Sequence, residues 1–279
     1  MAPDIMRRWS VALIIAMMAA TVCGTAWAQD DPGAAAFDRG RELYQNNQLE
    51  QARDAFQDAL EARPDDPTVL VWLGSVSLQL GDTEAAIANL KKATDQDIDD
   101  PAAYNNLGNA YLATGDLDSA EQQYEKALAK DPNHPDAAYN LANLYTRREQ
   151  YEKAFNAYNR ALEINPNDFD AHVSFGHALR KGGDTEKAIR EFKAAAEINP
   201  QDAEVQTVLG TLYIKSGEVQ EAIGAYEAAL GIDPDIVEAH VGLGLALHNE
   251  GEYAEAIDHW SAAAELDANS FAARYNMGL

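Results

Sequence analysis

One cysteine occurs in the 279 residues, Cys23. It lies in an N-terminal stretch with the marks of an export leader, so the processed chain is expected to carry no thiol. That excludes a disulfide, a cysteine-ligated metal and a cysteine nucleophile from the mature protein. Positive charge is scarce too: 21 Lys and Arg face 46 Asp and Glu, a net charge of -25. Such a surface repels nucleic acid phosphates and anionic lipid headgroups. Solubility is its simplest role, and a basic partner is the alternative. The sequence also lacks a G-x-S-x-G elbow, a phosphate-cradling glycine loop and an H-E-x-x-H pair. Its six histidines are dispersed, with no pair at the i,i+4 spacing of helical metal sites. The expectation is a protein that is not an enzyme, with no cofactor, no metal and no catalytic residues.

The apolar run Val11–Val22 covers twelve residues, short of the roughly 20 that a comfortable membrane-spanning helix needs. Arg7 and Arg8 precede it, and Ala26-Trp27-Ala28 supplies the small-x-small pattern of a cleavage site. Residues 1–28 therefore read as a signal peptide cleaved after Ala28, followed by a short linker at 29–32. Removing two Arg and one Asp leaves 19 basic and 45 acidic residues, a net charge of -26. Val22 stands where a lipoprotein cysteine needs a small neighbour. The expected location is periplasmic or secreted, with no direct lipid binding by the mature chain. An uncleaved N-terminal anchor in the inner membrane is the alternative.

What the rest of the chain has is period. Gly40, Gly74, Gly108, Ala142, Gly176, Gly210 and Gly244 fall on a 34-residue step, and Ala52, Ala86, Ala120, Ala154, Ala188, Ala222 and Ala256 follow twelve residues later. In the third unit Tyr104, Leu107, Gly108 and Tyr111 recur at three- and four-residue steps, one face of a helix. Gly115-Asp116 breaks it, glycine suiting the left-handed conformation past a helix end. Leu117, Ala120, Tyr124, Ala127 and Leu128 mark a second helix, and Pro132 ends the unit. Asp66, Asp100, Asp168 and Asp202 each precede a first helix, where a carboxylate accepts from free N–H groups. Pro67, Pro101 and Pro135 suit the first helical turn. Acidic clusters such as Asp97-Ile98-Asp99-Asp100 read as caps, because no calcium-loop glycine follows.

These residues resemble the tetratricopeptide repeat: small at position eight, aromatic at eleven, Ala at twenty, aromatic at twenty-four, Ala at twenty-seven and Pro at thirty-two. The resemblance covers seven units, 33–66, 67–100, 101–134, 135–168, 169–202, 203–236 and 237–270, with 271–279 as a partial C-terminal capping helix. Ile98 and Ala268 depart from the proline position. Ala36 and Arg39 in the first unit suit the polar outer face of an N-terminal cap. The implied fold is all-α, a right-handed α-solenoid of helix–turn–helix hairpins. His172 and His240, both at position four, read as partly buried structural histidines.

The resemblance also implies that positions two, five, six, nine, twelve and thirteen line a concave, peptide-binding groove. Those positions hold Asn105, Asn106 and Asn109; Tyr139, Asn140, Asn143 and Arg147; Ser174, His177, Arg180 and Lys181; and Thr207, Thr211 and Lys215. The asparagines are similar to the ladder of O-linked N-acetylglucosamine transferases, where amides grip a peptide backbone. The four cations form a strip suited to an acidic side chain or a free C-terminus, or they oppose the helix dipole. The carboxylate clamp of chaperone-tail binders does not carry over, because Asn105, Asp170 and Ser174 stand where its cations belong. The implied function is a non-catalytic interaction scaffold for a peptide or partner helix. Alternatives are a substrate-presenting subunit of an envelope enzyme complex, such as a glycosyltransferase, and a self-assembling structural protein, a homo-oligomer.

Overall fold

The computed structural model describes residues 31–268 and 270–278. The leader, Cys23 and the expected cleavage site lie outside the described residues. Among those described there are fifteen helices and no strand. They run α1 (Pro32–Gln45), α2 (Leu49–Ala62), α3 (Pro67–Gln79), α4 (Thr83–Thr94), α5 (Pro101–Thr114), α6 (Leu117–Lys130), α7 (Pro135–Arg147), α8 (Tyr151–Ile164), α9 (Phe169–Gly182), α10 (Thr185–Ile198), α11 (Ala203–Ser216), α12 (Val219–Ile232), α13 (Val237–Glu250), α14 (Tyr253–Leu266) and α15 (Phe271–Met277). None of these is long and apolar enough to cross a membrane. Two compact units divide the chain between Leu144 and Tyr145, inside α7.

The helix starts follow from the caps. Asp66 Oδ1 accepts from the N–H of Thr68 at 2.9 Å, and Asp100 Oδ1 from Ala102 at 3.0 Å. Asp168 and Asp202 accept from Ala171 and Val205 at 3.0 and 2.9 Å. Pro67 and Pro101 occupy the first helical turn, where no N–H is required. The turn inside each hairpin needs one left-handed residue. Gly81, Gly115, Gly183, Gly217 and Gly251 supply it, and in the first and fourth repeats Asn47 (φ 57°) and Glu149 (φ 60°) take the same place.

In the first unit α1 packs on α2, α3 on α4 and α5 on α6, and each hairpin leans on the next. Phe37, Phe56 and Trp72 form an aromatic core, Phe56 and Trp72 having ring centroids 5.5 Å apart. Every residue of α3 from Val69 through Leu78 is buried, as a helix apolar on all sides must be. In the second unit α9 pairs with α10, α11 with α12 and α13 with α14, and α15 packs against α14. Its core gathers Tyr226, Leu243, Leu247 and Trp260.

One contact explains the period. The ring at position twenty-four lies over the small residue at position eight of its own hairpin. A Cβ added at Gly108 would stand 2.5 Å from Tyr124 Cε1, and one at Gly176 would stand 2.7 Å from Phe192 Cε2. The ring also reaches the following hairpin: Phe56 meets Trp72, and Tyr158 stacks on Phe175 at 5.2 Å. It thereby fills the space both within and between hairpins.

Candidate functional site

In the first unit α5 and α7 bring Asn105, Asn106, Asn109 and Asn140 together. The first three are buried, and Asn140 is half-buried. They bond to one another and to the hairpins behind them. Asn106 Nδ2 donates to Ser75 Oγ at 3.0 Å. Asn140 Nδ2 donates to Asn105 Oδ1 at 2.9 Å and to Asn109 Oδ1 at 3.1 Å. Tyr124 donates its hydroxyl to Asn109 Oδ1 at 2.8 Å. The amides thus form a rail in which position six of one repeat donates to position nine of the repeat before it. Tyr139 and Asn143 are half-buried in the same stretch of chain.

The rail leaves half of each amide unspent. Asn105 and Asn109 use their oxygens and keep the Nδ2 donors; Asn106 and Asn140 use Nδ2 and keep the Oδ1 acceptors. Among the described residues the one side-chain N or O sealed from solvent without a partner is Gln123 Oε1. The unspent amide atoms are therefore in reach of solvent, or of a ligand. Two donors and two acceptors in one patch match the alternating polarity of a peptide backbone.

In the second unit position nine again serves the ring at position twenty-four. Thr211 Oγ1 lies 3.1 Å from Tyr226 OH, and the His177 ring sits edge-on to Phe192 at 4.9 Å. Thr207 turns its hydroxyl back to the carbonyl of Ala203 at 2.8 Å, and Ser174 is half-buried. Burial first, then the nearby Arg180 and Lys181 cations, holds the His177 pKa down to about 4. Arg147, Arg180, Lys181 and Lys215 are exposed, and Arg180, Lys181 and Lys215 have no ion-pair partner among the described residues. Charge left unpaired in so acidic a chain stands out, since carboxylates outnumber cations about two to one.

Sequence models described as the tetratricopeptide repeat match residues 37–101, 105–169 and 207–273, and another with that description matches 146–212. The chain belongs to the tetratricopeptide repeat family. No curated protein sequence matches it. Solved tetratricopeptide structures do. YrrB, described as having an unusual peptide-binding site, is 24% identical over 68% of this chain and 98% of its own, with a TM-score of 0.62. The C-terminal part of a repeat protein from Cytophaga hutchinsonii is 15% identical over 87% of this chain and 100% of its own, with a TM-score of 0.74. MamA is 27% identical over 62% of this chain and 95% of its own, with a TM-score of 0.55. The likeness to YrrB and to the Cytophaga protein concerns the fold.

Two features of this tetratricopeptide array are not visible from the family pattern. Ser75 and Tyr124 belong to the amide rail. The signal for Ser75 is a polar residue 31 positions before an asparagine, as in Ser75–Asn106 and Asn109–Asn140, whereas Tyr124 reaches Asn109 within its own hairpin. The other is a depression of about 570 Å³ in the second unit, lined by Phe155, Phe175 and Leu179 with Lys187 and Arg190 among its polar residues. Phe155 stands at repeat position 21, where the second, fifth, sixth and seventh repeats carry isoleucine.

Proposed function

We propose that the chain is a non-catalytic scaffold that holds an extended peptide segment of a protein partner on the first helices of its repeats. The observation that carries this reading is the split amide set: Asn105 and Asn109 keep donors, and Asn106 and Asn140 keep acceptors. An extended strand offers carbonyls and N–H groups in alternation, so such a patch binds backbone with little demand on side chains. The tetratricopeptide protein YrrB, similar in fold, has a peptide-binding site. In the second unit Arg180, Lys181 and Lys215 supply a positive strip for an acidic side chain or a terminal carboxylate of the partner. The leader sequence supports work in the cell envelope, with Gln29 as the first residue of the mature chain.

Affinity capture from an envelope extract, followed by mass spectrometry, tests the reading. A partner should be retained by the native chain, and reversing charge with Arg180→Glu and Lys181→Glu should release it while the melting curve stays in place. Retention unchanged in that variant removes the strip from the reading. A captured glycosyltransferase would favour the substrate-presenting role. Light scattering that rises with concentration and no captured partner would favour self-assembly. Amino-terminal sequencing of the protein from a periplasmic fraction checks export.

A further inference from the structure

His240 on α13 and His259 on α14 face each other across the seventh hairpin. Their Nδ1 atoms are 3.0 Å apart, with ring centroids 5.2 Å apart and planes at 35°. His240 Nε2 lies 3.0 Å from the carbonyl oxygen of Pro234. A carbonyl only accepts, so Nε2 carries the proton and the Nδ1 lone pair points at His259. Metal-binding histidines are oriented in this way, one N–H on a carbonyl and the other nitrogen toward the ion. In the metal-free chain His259 Nδ1–H donates to the His240 lone pair; binding a cation moves this proton to Nε2, and the metal bonds replace the one hydrogen bond given up. Two lone pairs then converge on one point.

The spacing can be compared with what each coordination geometry needs. With metal–nitrogen bonds of about 2.0–2.1 Å, neighbouring ligands at a right angle stand about 2.9 Å apart and tetrahedral ones about 3.4 Å apart. The 3.0 Å that the hydrogen bond sets in the metal-free chain is already close to the right-angle spacing, which square-planar copper(II) and nickel(II) prefer. Asp258, Glu255 and Glu227 lie near enough to act on His259, and their charge favours a bound cation. Among the described residues no group of three or more His, Cys, Asp or Glu could hold a metal, so water completes the coordination.

We propose that His240 and His259 form a two-histidine site for a square-planar divalent cation of the copper(II) or nickel(II) class, which staples α13 to α14. It is independent of peptide binding. The fifth hairpin carries an internal control in the same register. His172 Nδ1 lies 2.8 Å from Glu191 Oε2 and its Nε2 lies 3.0 Å from the Pro166 carbonyl. Both partners accept, so His172 is held as the imidazolium and offers no lone pair.

The test titrates the untagged full chain with nickel(II) by calorimetry and with copper(II) by electron paramagnetic resonance. One saturable site is expected, with splitting from two nitrogens and a melting temperature that rises with nickel(II). His259→Gln should weaken binding by about tenfold or more and cancel the melting shift. His240→Gln should do the same, and His172→Gln should change neither. Binding should fade at acid pH, where protons compete for the ring nitrogens. His259 is half-exposed, so its variant is read on a folded chain, verified by its metal-free melting curve. Undiminished binding in His259→Gln, or no saturable binding in the native chain, would overturn the site.

Discussion

Glycine at position eight is the residue on which each hairpin closes. A methyl at Gly108 already meets the Tyr124 ring at 2.5 Å, and that ring is fully buried and hydrogen-bonded to Asn109. Gly108→Val is therefore expected to lower stability by about 1–3 kcal/mol or more through overpacking, measured as a fall in the urea midpoint. Histidine protonation acts in two directions. His177 has its folded value below the ordinary 6.5, so its contribution is complete above 6.5 and drains away as pH falls toward 4. The native chain should lose stability between pH 7 and pH 5, and His177→Gln should flatten that slope. The hydrogen bond to Glu191 raises the His172 value, so its contribution is complete below 6.5 and is lost as pH rises through the raised value. Replacing His172 with Gln should cost more at pH 5.5 than at pH 8, as read by paired urea titrations.

At the scale of the element, the turn between paired helices repeats one backbone state with unequal ease. Glu149 adopts φ 60° where its counterparts in five other repeats are glycine. A left-handed conformation costs a side-chain-bearing residue roughly 1–2 kcal/mol. Glu149→Gly should raise the urea midpoint, by up to about 1 kcal/mol once glycine's own chain entropy is set against the relief. Caps offer a contrast: Asp168→Ala removes the acceptor for the Ala171 N–H and should cost about 1 kcal/mol. Helices, turns and caps were legible in the sequence because each depends on residues within a few positions of one another. The amide rail was not. Asn106 finds Ser75 and Asn140 finds Asn109 across 31 residues. A one-dimensional pattern marks all of these residues as surface candidates alike, although the first three asparagines are buried. Which end of an amide is spent is decided by the neighbouring hairpin, and that is a fact of packing.

For the whole molecule, charge is an influence on stability that the repeats do not explain. A formal net charge of -25 sets like charges against one another throughout the chain, and self-repulsion opposes the compact state. Raising sodium chloride from about 0.02 to 0.5 M should shorten the screening length several-fold and lift the melting temperature, as followed by circular dichroism. A fall would mean that ion pairs such as Lys130–Asp97 outweigh the repulsion. The array of hairpins was readable from its 34-residue step, which fixes both the helix pairs and their order. The selectivity of the surface was not, because the repeat consensus constrains the positions that pack and leaves the others free to vary.

The double duty of the asparagines has a consequence for how this chain can change. Asn109 accepts from its own hairpin and from the next through a single oxygen, while its nitrogen has no hydrogen-bond partner among the described residues. In the proposed binding mode, cohesion and recognition are written in the same atoms. A mutation that retunes what the surface grips also loosens what keeps neighbouring hairpins in step. New specificity is then most accessible through Arg180, Lys181 and Lys215, which have no ion-pair partner among the described residues.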